Sequence, residues 1–139
     1  MAFVPYGSGD FSTKKVKMTG SVTSVKGAVA RYDAGVGTAE NGAAASAAIY
    51  GVWATSVTSG SSGDYYNLII PFRDGQEWLV DTAGTAALTQ VGTIVSLEDV
   101  STLDENDTAN TPLFKIIKFV DTAHHVVQPE IANFTAISA

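Results

Sequence analysis

Few residues in this chain have the types and spacing that chemistry would need. His124 and His125 are adjacent, so on a strand their side chains point to opposite faces and do not easily share one metal ion. Serine is abundant, but no nucleophile-elbow pattern is present and the histidines follow no recognisable catalytic spacing. The sequence therefore predicts no catalytic residue, no cofactor and no enzymatic activity.

An acidic segment near residue 105 carries oxygen ligands of the kind that bind calcium. Asp104, Asn106 and Asp107 are closely spaced, and alternating oxygen ligands can wrap a hard cation. The glycine at the sixth position and the glutamate at the twelfth that complete a calcium loop are missing. We interpret the segment as a solvated acidic loop, and we expect no metal site and no effect of a chelator.

Four aromatic residues offer a different kind of binding site, because flat rings on a β-face suit the pyranose rings of sugars. They are Trp53, Tyr65, Tyr66 and Trp78. Packing in a core or an interface is the default for aromatic residues in strands. If the four rings are instead exposed together on one face, they indicate a carbohydrate-binding or adhesin-type β-domain of a viral or cell-surface structure, which we keep as an alternative function.

The elements that must position these residues are predicted to be strands. Residues 66–72 alternate, with Tyr66, Leu68, Ile70 and Phe72 on one face. Arg73-Asp74-Gly75 then turns the chain, and Trp78 and Val80 continue that face on a returning strand, as in an Asp-Gly hairpin. Further strands are predicted at residues 15–25, 28–32, 49–57, 91–97, 113–121 and 124–128, with a last edge strand or tail at 131–137 and at most one helical turn within 42–48.

About seven short strands without an amphipathic helix indicate an all-β fold, a small antiparallel β-barrel or sandwich. The strand at 113–121 is apolar on both faces, since Phe114, Ile116 and Val120 share one face while Ile117 and Phe119 share the other. A strand of this kind is central or interfacial. One small barrel buries only its inner face, so we expect the outer apolar residues to meet a partner.

The first 17 residues are predicted to form an extended N-terminal arm, and residues 18–139 a single β-domain. Three lysines against Asp10 give the arm a charge of +2, while five cations against thirteen acidic residues give the remainder −8. An aromatic, mildly basic arm beside an acidic body is suited to lie on a neighbouring chain, so we expect its deletion to leave the β-core folded. The expected partner contacts are Phe3, Tyr6, Phe11, Lys14, Lys15 and Lys17.

Composition narrows the possible partners. The net charge is −6, which argues against a nucleic-acid surface because phosphate contacts need clustered Lys and Arg. No stretch approaches the roughly 18 apolar residues of a membrane span, and the N-terminus lacks the pattern of a signal peptide. We therefore expect no nucleic acid or membrane partner, and synthesis in a host cytoplasm. Cysteine is absent, so stability must come from packing or assembly.

The order of these features resembles the small head decoration, or cement, proteins of tailed bacteriophages. The resemblance depends on the N-terminal arm, the Gly- and Ala-rich loop before Ile49-Tyr50-Gly51-Val52, the Val91-Gly92-Thr93 strand, and the closing unit at residues 114–121 with Val126-Val127 after it. It implies a compact β-barrel or β-tulip that binds the outer surface of the virion head and reinforces contacts between major capsid subunits. It also implies a homo-oligomer, expected to be a trimer, and no catalytic residue.

Overall fold

A computed structural model describes residues 2–33, 36–44 and 46–135, and within them the protein is all-β with two short 3₁₀ turns. None of the described helices has the length and apolar character to cross a membrane. The strands are β1 (Phe3–Pro5), β2 (Lys14–Lys17), β3 (Val29–Asp33), β4 (Thr38–Asn41), β5 (Gly51–Trp53), β6 (Tyr66–Pro71), β7 (Trp78–Thr82), β8 (Ile94–Asp99), β9 (Thr102–Asp104), β10 (Phe114–Asp121) and β11 (His124–Pro129), and the 3₁₀ turns are η1 (Leu88–Gln90) and η2 (Ile131–Asn133).

One sheet closes into a barrel. Its strand order is β1-β7-β11-β10-β8-β9. Strand β9 also pairs with β7 in parallel, through Asp81↔Thr102 and Thr82↔Leu103, so that β7, β11, β10, β8 and β9 form a closed mixed barrel of five strands. Closure removes the free edges that an open sheet would expose. The short N-terminal strand β1 pairs antiparallel with the first half of β7.

The second sheet is antiparallel in all its strand pairs and has the order β2-β6-β5-β3-β4. An isolated parallel bridge between Met18 and Ala39 brings the end of β2 close to β4. The sheet therefore curls strongly, and it encloses a small core of its own. Part of its outer face packs against the barrel.

The two cores are filled by different side chains. The barrel core contains an aromatic cluster, with Phe3, Phe72, Trp78 and Phe114 in mutual ring contacts at centroid distances of 5.1–6.0 Å. Aliphatic residues from both sheets surround these rings. The sheet core is built around Trp53 and contains three alanines, Ala28, Ala30 and Ala39, together with Val16, Met18 and Ile69.

Alternation on β3, β5 and β6 explains how one sheet serves both cores. Successive strand residues point to opposite faces. Ala30, Trp53 and Ile69 therefore face the sheet core, while Val29, Val52 and Ile70, each next to one of them in the sequence, pack toward the barrel. The loop from β6 to β7 then carries the chain from the second sheet into the barrel.

The predicted hairpin at residues 66–80 is wrong. Strand β6 pairs with β2 and β5, whereas β7 pairs with β1, β9 and β11, so the two strands lie in different sheets. Gly75 does adopt the positive φ of the expected turn, at 82°. The predicted buried face is also wrong on β6, where Asn67, Ile69 and Pro71 are buried while Tyr66 and Leu68 are exposed. Phe72, Trp78 and Val80 are buried as predicted.

The predictions for the second half of the chain agree better with the structure. The all-β fold is confirmed, as are the strand at 113–121 and its antiparallel return at 124–128, which are β10 and β11.

The other predicted strands differ more from the structure. The strands at 28–32 and 91–97 correspond to β3 and β8 within a few residues, but the predicted strands at 15–25 and 49–57 shorten to β2 and β5. The described part of 42–48 contains no helix. Residues 131–133 form a 3₁₀ turn rather than an edge strand, and positions 136 and 137 of the predicted tail lie outside the described residues.

The predicted N-terminal arm is not extended away from the domain. Its residues form β1, which joins the barrel sheet, and β2, which joins the second sheet. The connection between them follows the turn at 73–77. There Arg73 Nη1 donates hydrogen bonds to the backbone oxygens of Asp10 and Ser12, at 3.0 and 3.1 Å, and Gln76 Nε2 donates to Asp10 O at 2.7 Å. The sequence shows no period of 2 in β1, because that strand is only three residues long, whereas β2 is the beginning of the strand predicted at 15–25.

Candidate functional site

The structure divides the six expected contact residues into two groups. Phe3 is 2 % exposed in the barrel core, and Phe11 packs edge-on against the Trp78 ring at 5.1 Å. Phe3 therefore has no surface to offer a partner. Tyr6, Lys14, Lys15 and Lys17 are exposed, and a role for them in binding stays a prediction.

One half of the outer face of the second sheet is not covered by the barrel. Strand register places Lys15 opposite Leu68 and Lys17 opposite Tyr66. These four residues lie on the same face as Ile70, because Tyr66, Leu68 and Ile70 are two residues apart on β6. Ile70 packs against the barrel core, whereas Leu68 and Tyr66 are 37 % and 47 % exposed. We call Lys15, Lys17, Tyr66 and Leu68 the open face.

A cleft lies where the open face meets the barrel. Its volume is about 480 Å³, and most of its lining is apolar. One wall is residues 2–5, which include β1, and the floor is formed by β5, Ala54 and Ile70. The side chains that define this cleft include Ala2, Val4, Pro5, Lys26, Val52, Ala54, Ile70 and Trp78.

The backbone of β1 restricts what the cleft can bind. The N–H of Phe3 already donates to Gly27 O at 2.9 Å, and Pro5 has no N–H to donate. An added β-strand would need such donors along the edge. The cleft is therefore suited to an apolar side chain inserted from a partner, and not to an extended strand that pairs with β1.

One lysine lines the cleft and another lies on the open face beside it, in a protein whose net charge is −6. Lys26 lines the cleft. Lys15 lies on the adjoining open face, with its ammonium 4.8 Å from the centre of the Tyr66 ring. Lys17 is paired with Asp64 at 2.9 Å, whereas Lys15 and Lys26 have no carboxylate partner among the described residues. The site therefore favours an apolar group that has carboxylates beside it.

His124 has a structural role in the loop between β10 and β11. Its Nδ1 lies 2.8 Å from Asp121 Oδ1 and its Nε2 lies 3.0 Å from Asp81 Oδ1. The Ala123 backbone N–H, and after it the His124 ring, hold the pKa of the Asp121 carboxyl below its usual value. The histidine thus links β7 to the β10–β11 turn, and both of its ring nitrogens are used for this.

His125 belongs to a chain of polar side chains at one end of the barrel. Its Nε2 lies 2.7 Å from Gln90 Oε1, Gln90 Nε2 donates to Asn106 Oδ1 at 3.0 Å, and Asn106 Nδ2 donates to Glu105 Oε2 at 3.0 Å. Glu105 in turn accepts a hydrogen bond from the Gly84 N–H at 2.8 Å. Burial lowers the pKa of His125, and the nearby Lys118 backbone and Glu105 carboxylate oppose only part of that effect. This network joins η1, β11 and the loop after β9.

The aromatic platform proposed for sugar binding is wrong in its main residues. Trp53 and Trp78 are both fully buried. Each indole N–H is satisfied inside the protein, by Asn41 Oδ1 and by Gln76 Oε1 respectively, at 3.0 Å. Tyr65 and Tyr66 are exposed, but without the tryptophans they do not make the predicted surface.

A second concavity of about 480 Å³ lies beside β3 and β4 and is open, with a lining of mixed polar and apolar character. Its charged residues, Arg31 and Glu40, form an ion pair with each other. Asn41 donates to Thr23 O at 3.0 Å and accepts the Trp53 N–H. In the described part of the chain, no group of three or more His, Asp and Glu side chains is arranged to hold a metal ion.

Comparison of the chain with protein-family models, curated proteins and solved structures gave no match. The cleft was missed by sequence reasoning because its walls are residues 2–5 and 52–54, which lie far apart in the sequence. Among the exposed charged residues of the open face, the sequence predicts Lys15 and Lys17 as partner contacts. The local signal for them was the charge asymmetry between the first 17 residues and the remainder.

Proposed function

We propose that this chain is a non-enzymatic structural protein that binds the outer surface of a viral capsid and stabilises contacts between major capsid subunits. It acts there as a homo-oligomer, expected to be a trimer, on the virion head. The observation that supports an assembly role best is the open face and its cleft. Concave apolar surface beside an uncovered sheet face is typical of protein–protein contact sites.

The capsid as partner follows from the resemblance to head decoration proteins. The exposed residues of the N-terminal segment, Tyr6 and Lys14, are its proposed contacts with the shell. Bound protein adds contacts only to the assembled shell, so its binding free energy stabilises the particle against heat.

Sedimentation with shells that lack this protein tests the proposal. Purified protein should co-sediment with these shells and raise their disruption temperature, and shells already saturated with it should take up no more. For a variant with Tyr6→Ala and Lys14→Glu, fewer protein molecules should bind per shell than for wild type. The control is Val36→Asp, at a residue that is 71 % exposed on another part of the surface, and it should bind as wild type does. Protein that stays in the supernatant at every concentration would contradict capsid binding, and binding to a glycan array instead would support the carbohydrate alternative.

A further inference from the structure

Exposed apolar residues also lie along β10, on the segment at 86–92 and near the end of the strand. The chain at 86–92 runs along β10, since Ala86 N–H donates to Thr122 O at 2.9 Å and Gly92 N–H donates to Ile116 O at 2.8 Å. This arrangement brings together three exposed residues, Leu88, Val91 and Val120, of which Leu88 is 71 % exposed. We call Leu88, Val91 and Val120 the ridge.

The ridge is held firmly. Gln90 lies at the end of η1, and its Oε1 accepts hydrogen bonds from the Ala87 N–H and from His125 Nε2. Its Nε2 donates to Asn106 Oδ1. The η1 turn that carries Leu88 is therefore fixed to the barrel on one side and to the acidic loop on the other. A rigid apolar projection loses little conformational entropy when it enters a cavity.

Negative charge lies beside the ridge. Asp121 directly follows Val120, and Asp107 directly follows Asn106, which contacts Gln90. Backbone N–H groups of Asn110 and Ala109 lower the pKa of Asp107, as that of Ala123 does for Asp121, so both carboxylates are charged near neutral pH. The ridge is thus exposed and apolar, with two carboxylates close to it in the chain, while the cleft is apolar with Lys26 in its lining.

We infer that the cleft binds the ridge of a second copy of this chain, with Leu88 inserted into the apolar floor and Lys15 and Lys26 near Asp107 and Asp121. Complementary charge and shape on one chain, and the lack of free N–H groups on β1 for strand addition, favour this occupant over an extended segment of another protein. Because the two surfaces differ, the contact is heterologous, and its repetition in the proposed trimer closes a ring. This inference rests on the proposed function, and it names the two surfaces through which the proposed homo-oligomer forms.

Two variants separate the surfaces without touching either core. Leu88→Asp removes the ridge and leaves the cleft intact, and it should weaken self-association at least about tenfold because a carboxylate would be buried in an apolar site. Lys15→Glu with Lys26→Glu reverses the charge of the cleft and leaves the ridge intact. Val36→Asp is the matched control, since Val36 is as exposed as Leu88, at 71 %, and belongs to neither surface.

Sedimentation velocity of the isolated protein, over a range of concentrations and with no shell present, decides the question. Wild type and Val36→Asp should form one closed oligomer, and each surface variant alone should be monomeric. An equimolar mixture of the two surface variants should form a dimer and nothing larger, because the Leu88→Asp cleft can still accept the ridge of the lysine variant. A monomeric wild type, a Leu88→Asp variant that assembles like the control, or a mixture that stays monomeric would each overturn the inference. Binding to shells is measured in a separate experiment. A failure of self-association through the cleft and ridge would therefore not contradict capsid binding, and a failure of capsid binding would not contradict this self-association.

Discussion

The barrel core and the sheet core lie on opposite faces of the second sheet, and they are filled in opposite ways. In the barrel core, large aromatic rings from three distant parts of the chain contact one another. In the sheet core, one large ring, Trp53, is surrounded by three alanines and three aliphatic side chains. Facing large and small residues can fill a core as densely as rings that interlock. The two cores should respond differently when their largest side chain is removed.

Both cores take residues from the beginning of the chain. Phe3 enters the barrel core and Val16 and Met18 enter the sheet core. The first 18 residues therefore connect the two cores, which is why they are unsuited to be a detachable arm. Partner contacts from this segment are confined to the side chains that stay exposed, such as Tyr6 and Lys14.

The largest expected effect is that of Trp53→Ala. Its small neighbours cannot move in to fill the space, so we expect a loss of about 5 kcal/mol in the free energy of unfolding, at the upper end for such truncations. Trp78→Ala should cost about 3 kcal/mol, because the surrounding phenylalanine rings can partly fill its cavity. Urea unfolding followed by circular dichroism measures both. Equal losses, or a larger loss for Trp78→Ala, would show that the two cores relax alike.

Phe3→Ala tests whether the N-terminal segment belongs to the barrel core. Phe3 contacts the rings of Phe72, Trp78 and Phe114, so we expect its truncation to cost about 3 kcal/mol. Tyr6→Ala, in the same segment but 45 % exposed, should change stability by no more than about 0.5 kcal/mol.

Deletion of residues 1–13 should destabilise the protein further, because it removes both Phe3 and Phe11. The burial of Phe3 thus reverses the expectation that the β-core would stay folded without this segment. Thermal unfolding of the deletion variant measures the effect, and a melting temperature equal to that of the full chain would restore the interpretation as an arm.

The smallest expected effect is the dependence of stability on pH that comes from His125. The folded protein keeps this imidazole neutral, because burial lowers its pKa below the ordinary value of 6.5. Above pH 6.5 neither state binds the proton, so stability is constant. Below it the unfolded chain takes up a proton that the folded protein does not, and stability falls as pH falls.

For one group, the slope of this loss is at most about 1.4 kcal/mol per pH unit. Chemical denaturation at intervals between pH 7 and pH 5 measures it, and His125→Phe should flatten the curve in that window. A variant with an unchanged slope would assign the effect to another group. Below the usual aspartate pKa of 3.8, a further loss is expected from Asp107 and Asp121, whose lowered pKa values favour the folded state only while they are ionised.

The sequence by itself determined the fold class and several local elements. Alternation and turn residues identified β10 and its return strand β11, because these two are long, adjacent and joined by a short turn. Gly75 marked a turn, since glycine readily takes the positive φ that is observed there. Local patterns are sufficient when the pairing partner is the next strand in the chain.

The tertiary structure alone decided which strands pair across long distances. Strands β6 and β7 look like a hairpin in sequence, but each finds better partners in a different sheet, which also shifts the buried face of β6 by one residue. The cleft depends on the same long-range choices, since β1 reaches it from the barrel and β5 from the second sheet. Whether Phe3 is a surface anchor or a core residue cannot be inferred from its neighbours in sequence, because the three rings that bury it come from residues 72, 78 and 114.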